Sequence, residues 1–86
     1  MPPRMTIPME YILTFGSAHK ALKAESILKR SKVPFRLLPA PKPLAPHCAL
    51  VISVDEFSLQ AAKDALAGLL AIKSVYKKEG DDYVEV

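Results

Sequence analysis

Five of the chain's eight prolines, Pro34, Pro39, Pro41, Pro43 and Pro46, fall within one stretch of thirteen residues, and no proline follows them. Proline fixes φ and has no N–H to give to a helix or a sheet ladder. The stretch therefore divides the 86-residue chain into two halves. Pro39 to Pro46 is expected to be a stiff, extended loop outside any sheet. The other three, Pro2, Pro3 and Pro8, mark residues 1–8 as a flexible tail before a single domain over residues 9–86.

Each half reads as strand, helix, strand. In Met9 to Phe15, Tyr11, Leu13 and Phe15 alternate with Glu10, Ile12 and Thr14, the period of a strand. Gly16 breaks it, and Ser17 can cap a helix that runs to about Ser31, with Ala18, Ala21, Leu22, Ala24 and Leu28 on one arc. Glu25 lies within that arc, paired either with Lys29 one turn on or with a more distant cation such as Arg36. Pro34 stops the helix and starts a strand over Phe35 to Leu38.

Beyond the prolines, Cys48 to Val54 is apolar on both faces apart from Ser53, the pattern of a central strand covered on each side. A second helix opens at Asp55 or Glu56 and carries Leu59, Ala62, Ala65, Leu66, Leu69 and Leu70 on one face. Ile72 to Lys78 returns as a strand. Residues 79–82 form a turn, and Tyr83 to Val86 adds a short terminal strand. The order predicts an α+β domain of the ferredoxin-like β-α-β-β-α-β plan. Right-handed crossovers give an antiparallel sheet of order 4-1-3-2, with two helices on one face.

That plan brings distant residues together. The end of the first strand (Gly16), the start of the first helix (Ser17, His19, Lys20) and the start of the third strand (Cys48) all fall at one end of the sheet. A thiol reacts as its thiolate, whose unperturbed pKa is about 8.5. A helix N-terminus favours an anion, but its ~0.3–1 kcal/mol is less than one pKa unit. A nearby cation has to supply the rest, and His19, Lys20, Lys42 and His47 are the candidates. The alternative is that Cys48 fills the core, since free cysteine is among the most buried residue types.

One cysteine excludes an intrachain disulfide and argues against a cysteine-built zinc site. His19, His47 and Cys48 match no known ligand spacing, and no metal or cofactor is expected. The net charge of +3 is spread along the chain, with acids interleaved, so no nucleic-acid partner is expected. No apolar run is long enough to span a membrane, and residues 1–5 lack the apolar stretch of a signal peptide, which points to a cytoplasmic protein. Glycine-rich phosphate loops, paired carboxylates and nucleophile–base spacings are absent, so a carrier or binding role is favoured over turnover catalysis.

The segment Tyr11 to Glu25 (YILTFGSAHKALKAE) resembles the opening of a small bacterial family described as putative Se/S carrier protein-like. The likeness continues through Leu28, through Val33 to Lys42 (VPFRLLPAPK), and into Cys48 and the apolar run that follows it. It covers roughly residues 10–78. Members typically read Pro-Thr-Pro-Arg in the loop and Cys-Gly at the cysteine, where this chain has Pro39-Ala40-Pro41-Lys42 and Cys48-Ala49. Glycine permits backbone conformations that alanine resists.

The resemblance implies that Cys48 carries sulfur or selenium as a persulfide or selenopersulfide between donor and acceptor proteins. The expected surroundings are Gly16, Ser17, His19, Lys20, Pro39, Pro41, Lys42 and His47. A single thiol suits one-atom transfer and excludes a self-resolving dithiol.

The competing reading is a non-enzymatic small-molecule-binding or regulatory module with a structural Cys48. RNA binding is disfavoured because the third strand has no aromatic residue, leaving only Tyr11 and Phe15 of the first to stack bases. The doubly apolar third strand predicts self-association as a dimer, through the open sheet face or the C-terminal hairpin.

Overall fold

The computed structural model describes residues 9–46 and 49–86. The expected tail over residues 1–8, together with His47 and Cys48, lies outside the described residues. The elements are β1 (Glu10–Thr14), α1 (Ala18–Arg30), β2 (Arg36–Pro39), β3 (Leu50–Asp55), α2 (Leu59–Leu66), β4 (Ser74–Glu79) and β5 (Asp82–Glu85). All four strand pairings are antiparallel, and the sheet order is β2-β3-β1-β4-β5. Read from its other edge, the order is the expected 4-1-3-2 series with β5 added outside β4.

Alternation along β1 sorts its side chains to two faces. Leu13 and Phe15 turn toward the helices. There they join Ile52 and Val54 of β3, Ala21, Ala24, Ile27 and Leu28 of α1, and Ala62 and Leu66 of α2 in one buried cluster. Tyr11 packs against the same cluster, so Tyr11 and Phe15 both lie on the side of the helices. The arc of α1 is rotated from the expected one: Ile27 is buried, and Leu22 is 46% exposed.

The opposite face has its own core, formed by Ile12, Val51 and Leu44, with Leu38, Ala40, Tyr76 and Tyr83 packed against it. Leu44 comes from the proline segment, which corrects the expectation of an extended loop. Pro39 ends strand β2, paired with Leu50. Beyond it the chain turns compactly, with the Leu44 and Ala45 N–H groups each donating to the Pro41 carbonyl at 2.8 Å. The φ that proline imposes also fits the first turn of a helix, where a missing N–H is not needed. Burial of Leu44, 5% exposed, decides between the two conformations. The apolar face of β3 that suggested a partner is thus covered by this chain itself.

Two boundaries also differ from expectation. Asp55 belongs to β3, and its carboxylate accepts the Ser58 N–H at 2.8 Å, so α2 begins at Leu59. The helix stops at Leu66 and does not extend through Leu70. The Leu69 and Leu70 N–H groups fold back onto the Leu66 carbonyl, and Leu69 is left 59% exposed.

Helix α1 ends in a Schellman motif: Val33 N–H donates to Leu28 O and Lys32 N–H to Lys29 O, both at 3.1 Å. Lys32 holds the left-handed position at φ 58°, which usually falls to glycine.

Two stability outcomes follow. Leu44→Ala should lose about 2–4 kcal/mol in urea unfolding, because it opens a cavity over Ile12 and Val51. Lys32→Gly should gain about 1 kcal/mol in the same measurement, by relieving the left-handed strain at an exposed site.

Candidate functional site

Strands β1 and β2 end, and β3 and β4 begin, at one end of the sheet, called here the upper rim. Its centre is the passage from β1 into α1. Gly16, at φ +89°, turns the chain out of the strand in a conformation that a side chain would resist. Ser17 then caps α1, its Oγ accepting the Lys20 N–H at 3.2 Å. No acidic residue occupies the first turn, and His19 and Lys20 are both exposed. The positive end of this helix therefore faces solvent without a built-in counter-charge.

On one side of this centre, the Lys73 N–H donates to the Thr14 carbonyl at 2.8 Å, which ties the segment after α2 to the end of β1. On the other, the Ala40 N–H donates to the Ala49 carbonyl at 3.0 Å, closing the ladder between β2 and β3. The β1–β3 register, carried two steps beyond Leu13 and Ile52, sets Thr14 level with Val51 and Phe15 level with Leu50.

The residues expected around the thiol divide between the two faces of the sheet. Gly16, Ser17, His19 and Lys20 lie on the side of α1. Pro41 and Lys42 belong to the segment that folds over the opposite face, while Pro39 is the last residue of β2, level with Leu50. Pro41 uses its carbonyl in the turn, while Pro39 and Lys42 are exposed. No ion pair among the described residues involves Lys20 or Lys42. Cys48 and His47 fall outside the described residues, and their described neighbours, Pro46 and Ala49, are both exposed.

Ala49, where the resembled family has glycine, needs none of glycine's special freedom. Lys32 is the one described non-glycine residue with a positive φ.

The sequence reading missed a polar cluster on the face opposite the helices. Glu10, 25% exposed, accepts a hydrogen bond from Ser53 Oγ. It also lies 3.7 Å from both an Arg36 guanidinium nitrogen and Lys78 Nζ. Four strands are bridged through one carboxylate. Arg36 thus partners Glu10, whereas Glu25 makes the local pair with Lys29 at 3.8 Å. Only the register reveals the cluster: Arg36 stands opposite Ser53, and Glu10 opposite Asp55, so their side chains share a face once the ladders are set.

The family model described as Putative Se/S carrier protein-like matches residues 10–77, from the first residue of β1 into β4. The chain belongs to this family. No curated protein and no solved structure matches it significantly. The matched span contains the whole upper rim and Cys48, and it ends just before the β4–β5 turn.

The Glu10 cluster lies toward the other end of β1 and acts as a clamp on the sheet. Glu10→Ala should cost about 1–2 kcal/mol, since it strands the buried Ser53 hydroxyl and leaves Arg36 and Lys78 without their counter-charge. In a double-mutant cycle, the coupling of Glu10 to Arg36 should stay below about 1 kcal/mol, because Arg36 is 71% exposed.

Proposed function

We propose that this protein is a chalcogen carrier in which Cys48 accepts one sulfur or selenium atom and delivers it to a partner protein. The observation that carries the reading is membership of the Se/S carrier-like family in a chain with a single thiol. In the loading step, the Cys48 thiolate attacks the outer sulfur of a donor persulfide. A new S–S bond forms to Cys48, the donor's S–S bond breaks, and the donor leaves as a thiolate. Delivery repeats the exchange, with an acceptor thiolate attacking the outer sulfur held on Cys48. One S–S bond is exchanged for another in each step, so no external oxidant or reductant is needed.

Each step requires Cys48 as a thiolate and its persulfide as an accessible anion. The upper rim suits that need: Ser17 opens α1 with no acid in its first turn, and His19, Lys20 and Lys42 supply unpaired cationic or protonatable groups. Pro39, Pro41 and His47 belong to the segment that leads the chain to Cys48. With no second cysteine, the persulfide has no internal thiol to resolve it, so it persists until a partner arrives.

Loading by a cysteine desulfurase with free cysteine should add one sulfur atom to the wild-type chain, read by intact mass. The Cys48→Ala chain should gain none, and a thiol acceptor should remove the added atom. If the wild-type chain gains no sulfur and is alkylated no faster than a buried thiol, the carrier reading fails. Cys48 then returns to a structural role in a binding or regulatory module.

A further inference from the structure

The net charge of the protein is not distributed as the sequence suggests. Along the chain, lysines and acids are interleaved, but the fold sends successive elements in opposite directions and so sorts them by end. Lys20, Lys23, Lys42, Lys63 and Lys73 fall on the upper half, together with His19, against only Asp64 and Glu85. The excess of three positive charges there equals the formal net charge of the whole protein. The opposite end carries Asp55, Glu56, Glu79, Asp81 and Asp82, balanced by nearby arginines and lysines. None of the five upper lysines pairs with an acid among the described residues, whereas Lys29, Arg36, Lys77 and Lys78 all do.

Within this basic end lies a cleft of about 760 Å³. It runs between the end of α2, the 67–73 link, the start of β4 and the end of β5. Lys63 and Lys73 stand on its lining with Leu69, Leu70 and Ile72. Gly68, at φ +78°, turns the chain after α2, and the Leu69 side chain that follows is 59% exposed. The lining thus sets the exposed Leu69 among one acid, Glu85, and two lysines that form no ion pair among the described residues. It is an apolar anchor point in a lining whose charged side chains sum to a positive excess. The cleft adjoins the upper rim: the Lys73 N–H donates to the Thr14 carbonyl, and the Lys73 aliphatic stem lies beside Gly16.

We propose that this cleft docks an acidic, leucine-bearing segment of the protein that exchanges sulfur with Cys48. The inference rests on the carrier reading for the identity of the partner, but the charge distribution and the cleft stand without it. Protein is favoured over nucleic acid because the lining is aliphatic, with no aromatic side chain to stack on a base and no arginine to fork onto a phosphate.

The test uses fluorescence anisotropy on the full chain with three labelled probes: a glutamate-rich peptide with two central leucines, the same peptide with lysine for glutamate, and oligodeoxythymidine. The acidic peptide should bind, and binding should weaken several-fold between about 0.05 and 0.15 M salt. Lys63→Glu with Lys73→Glu should weaken it about tenfold. Leu69→Ser should weaken it with no change in charge. Arg30→Glu with Lys32→Glu, at the far end, alters net charge equally and should leave binding within about twofold.

Equal loss from the far-end pair would reduce the effect to diffuse charge and overturn the proposal. So would binding of the DNA as tight as that of the peptide, insensitivity to Leu69→Ser, or no binding of the acidic peptide. Cys48→Ala must bind the peptide as wild type does. Peptide binding without sulfur loading would leave the docking site standing and remove the carrier. Sulfur loading without peptide binding would do the reverse.

Discussion

Everything in this small domain hangs on the antiparallel pairing of β1 with β3. Neither strand has a solvent face at its centre: Leu13 and Ile52 on the helix side, and Ile12 and Val51 on the other, are each 2% exposed or less. A strand pair buried on both sides needs two covers. The helices supply one through Ala21, Ala24, Ile27, Leu28, Ala62 and Leu66. The other is centred on Leu44 of the proline segment between β2 and β3, with Leu38, Ala40, Tyr76 and Tyr83 packed around it. A chain of this size gains little from any single layer, so closing the second face within the same chain matters to its stability. The Glu10 cluster completes that face where Leu44 does not reach, with a polar clamp in place of apolar cover.

The two halves of the fold were legible because their signals are local. The period of two in β1, the apolar run of β3 and the break at Gly16 each reflect a few neighbouring residues. The 4-1-3-2 order then follows from crossover handedness. What escaped the sequence has a common cause, competition between a local preference and a distant contact. Prolines at 39, 41, 43 and 46 favour an extended path, but the same φ serves a tight turn, and only the apolar surface of Ile12 and Val51 selects the turn. Lys32 sits where glycine is the usual signal, held by the pull of Val33 and Leu28 into the core. Asp55 looked like a helix cap; its carboxylate does bond a backbone N–H, but in the turn before α2, so the helix starts later.

The candidate site was legible to a different degree. Topology alone brings Gly16, Ser17, His19 and Lys20 to the end of the sheet where β3 begins, and the structure does so. It could not tell that Pro41 and Lys42 approach from the opposite face, because that depends on Leu44 drawing the segment over the sheet. Nor could it show the basic end. A footprint sought as a run along the chain is invisible when its members are ten or more residues apart, at Lys20, Lys42, Lys63 and Lys73. The return of the chain to the same rim is what collects them: Lys20 opens α1, Lys42 follows β2, and Lys63 and Lys73 stand on either side of the end of α2.

The same loop geometry bears on how a single thiol could serve as a carrier. A persulfide is a reactive anion that has to be offered to one partner and kept from others. A wholly flexible loop would expose it indiscriminately, and a fully buried one would not offer it at all. Here the segment that leads to Cys48 is anchored at both ends of its described course, by Leu44 in the open-face core and by the Ala40–Ala49 hydrogen bond at the head of β3. Between Pro46 and Ala49 only two residues remain, so the described chain on either side of them is fixed by contacts that belong to the folding core. The leucine that covers the second face of the sheet is therefore also the anchor of the proline segment that leads toward the cysteine in the sequence.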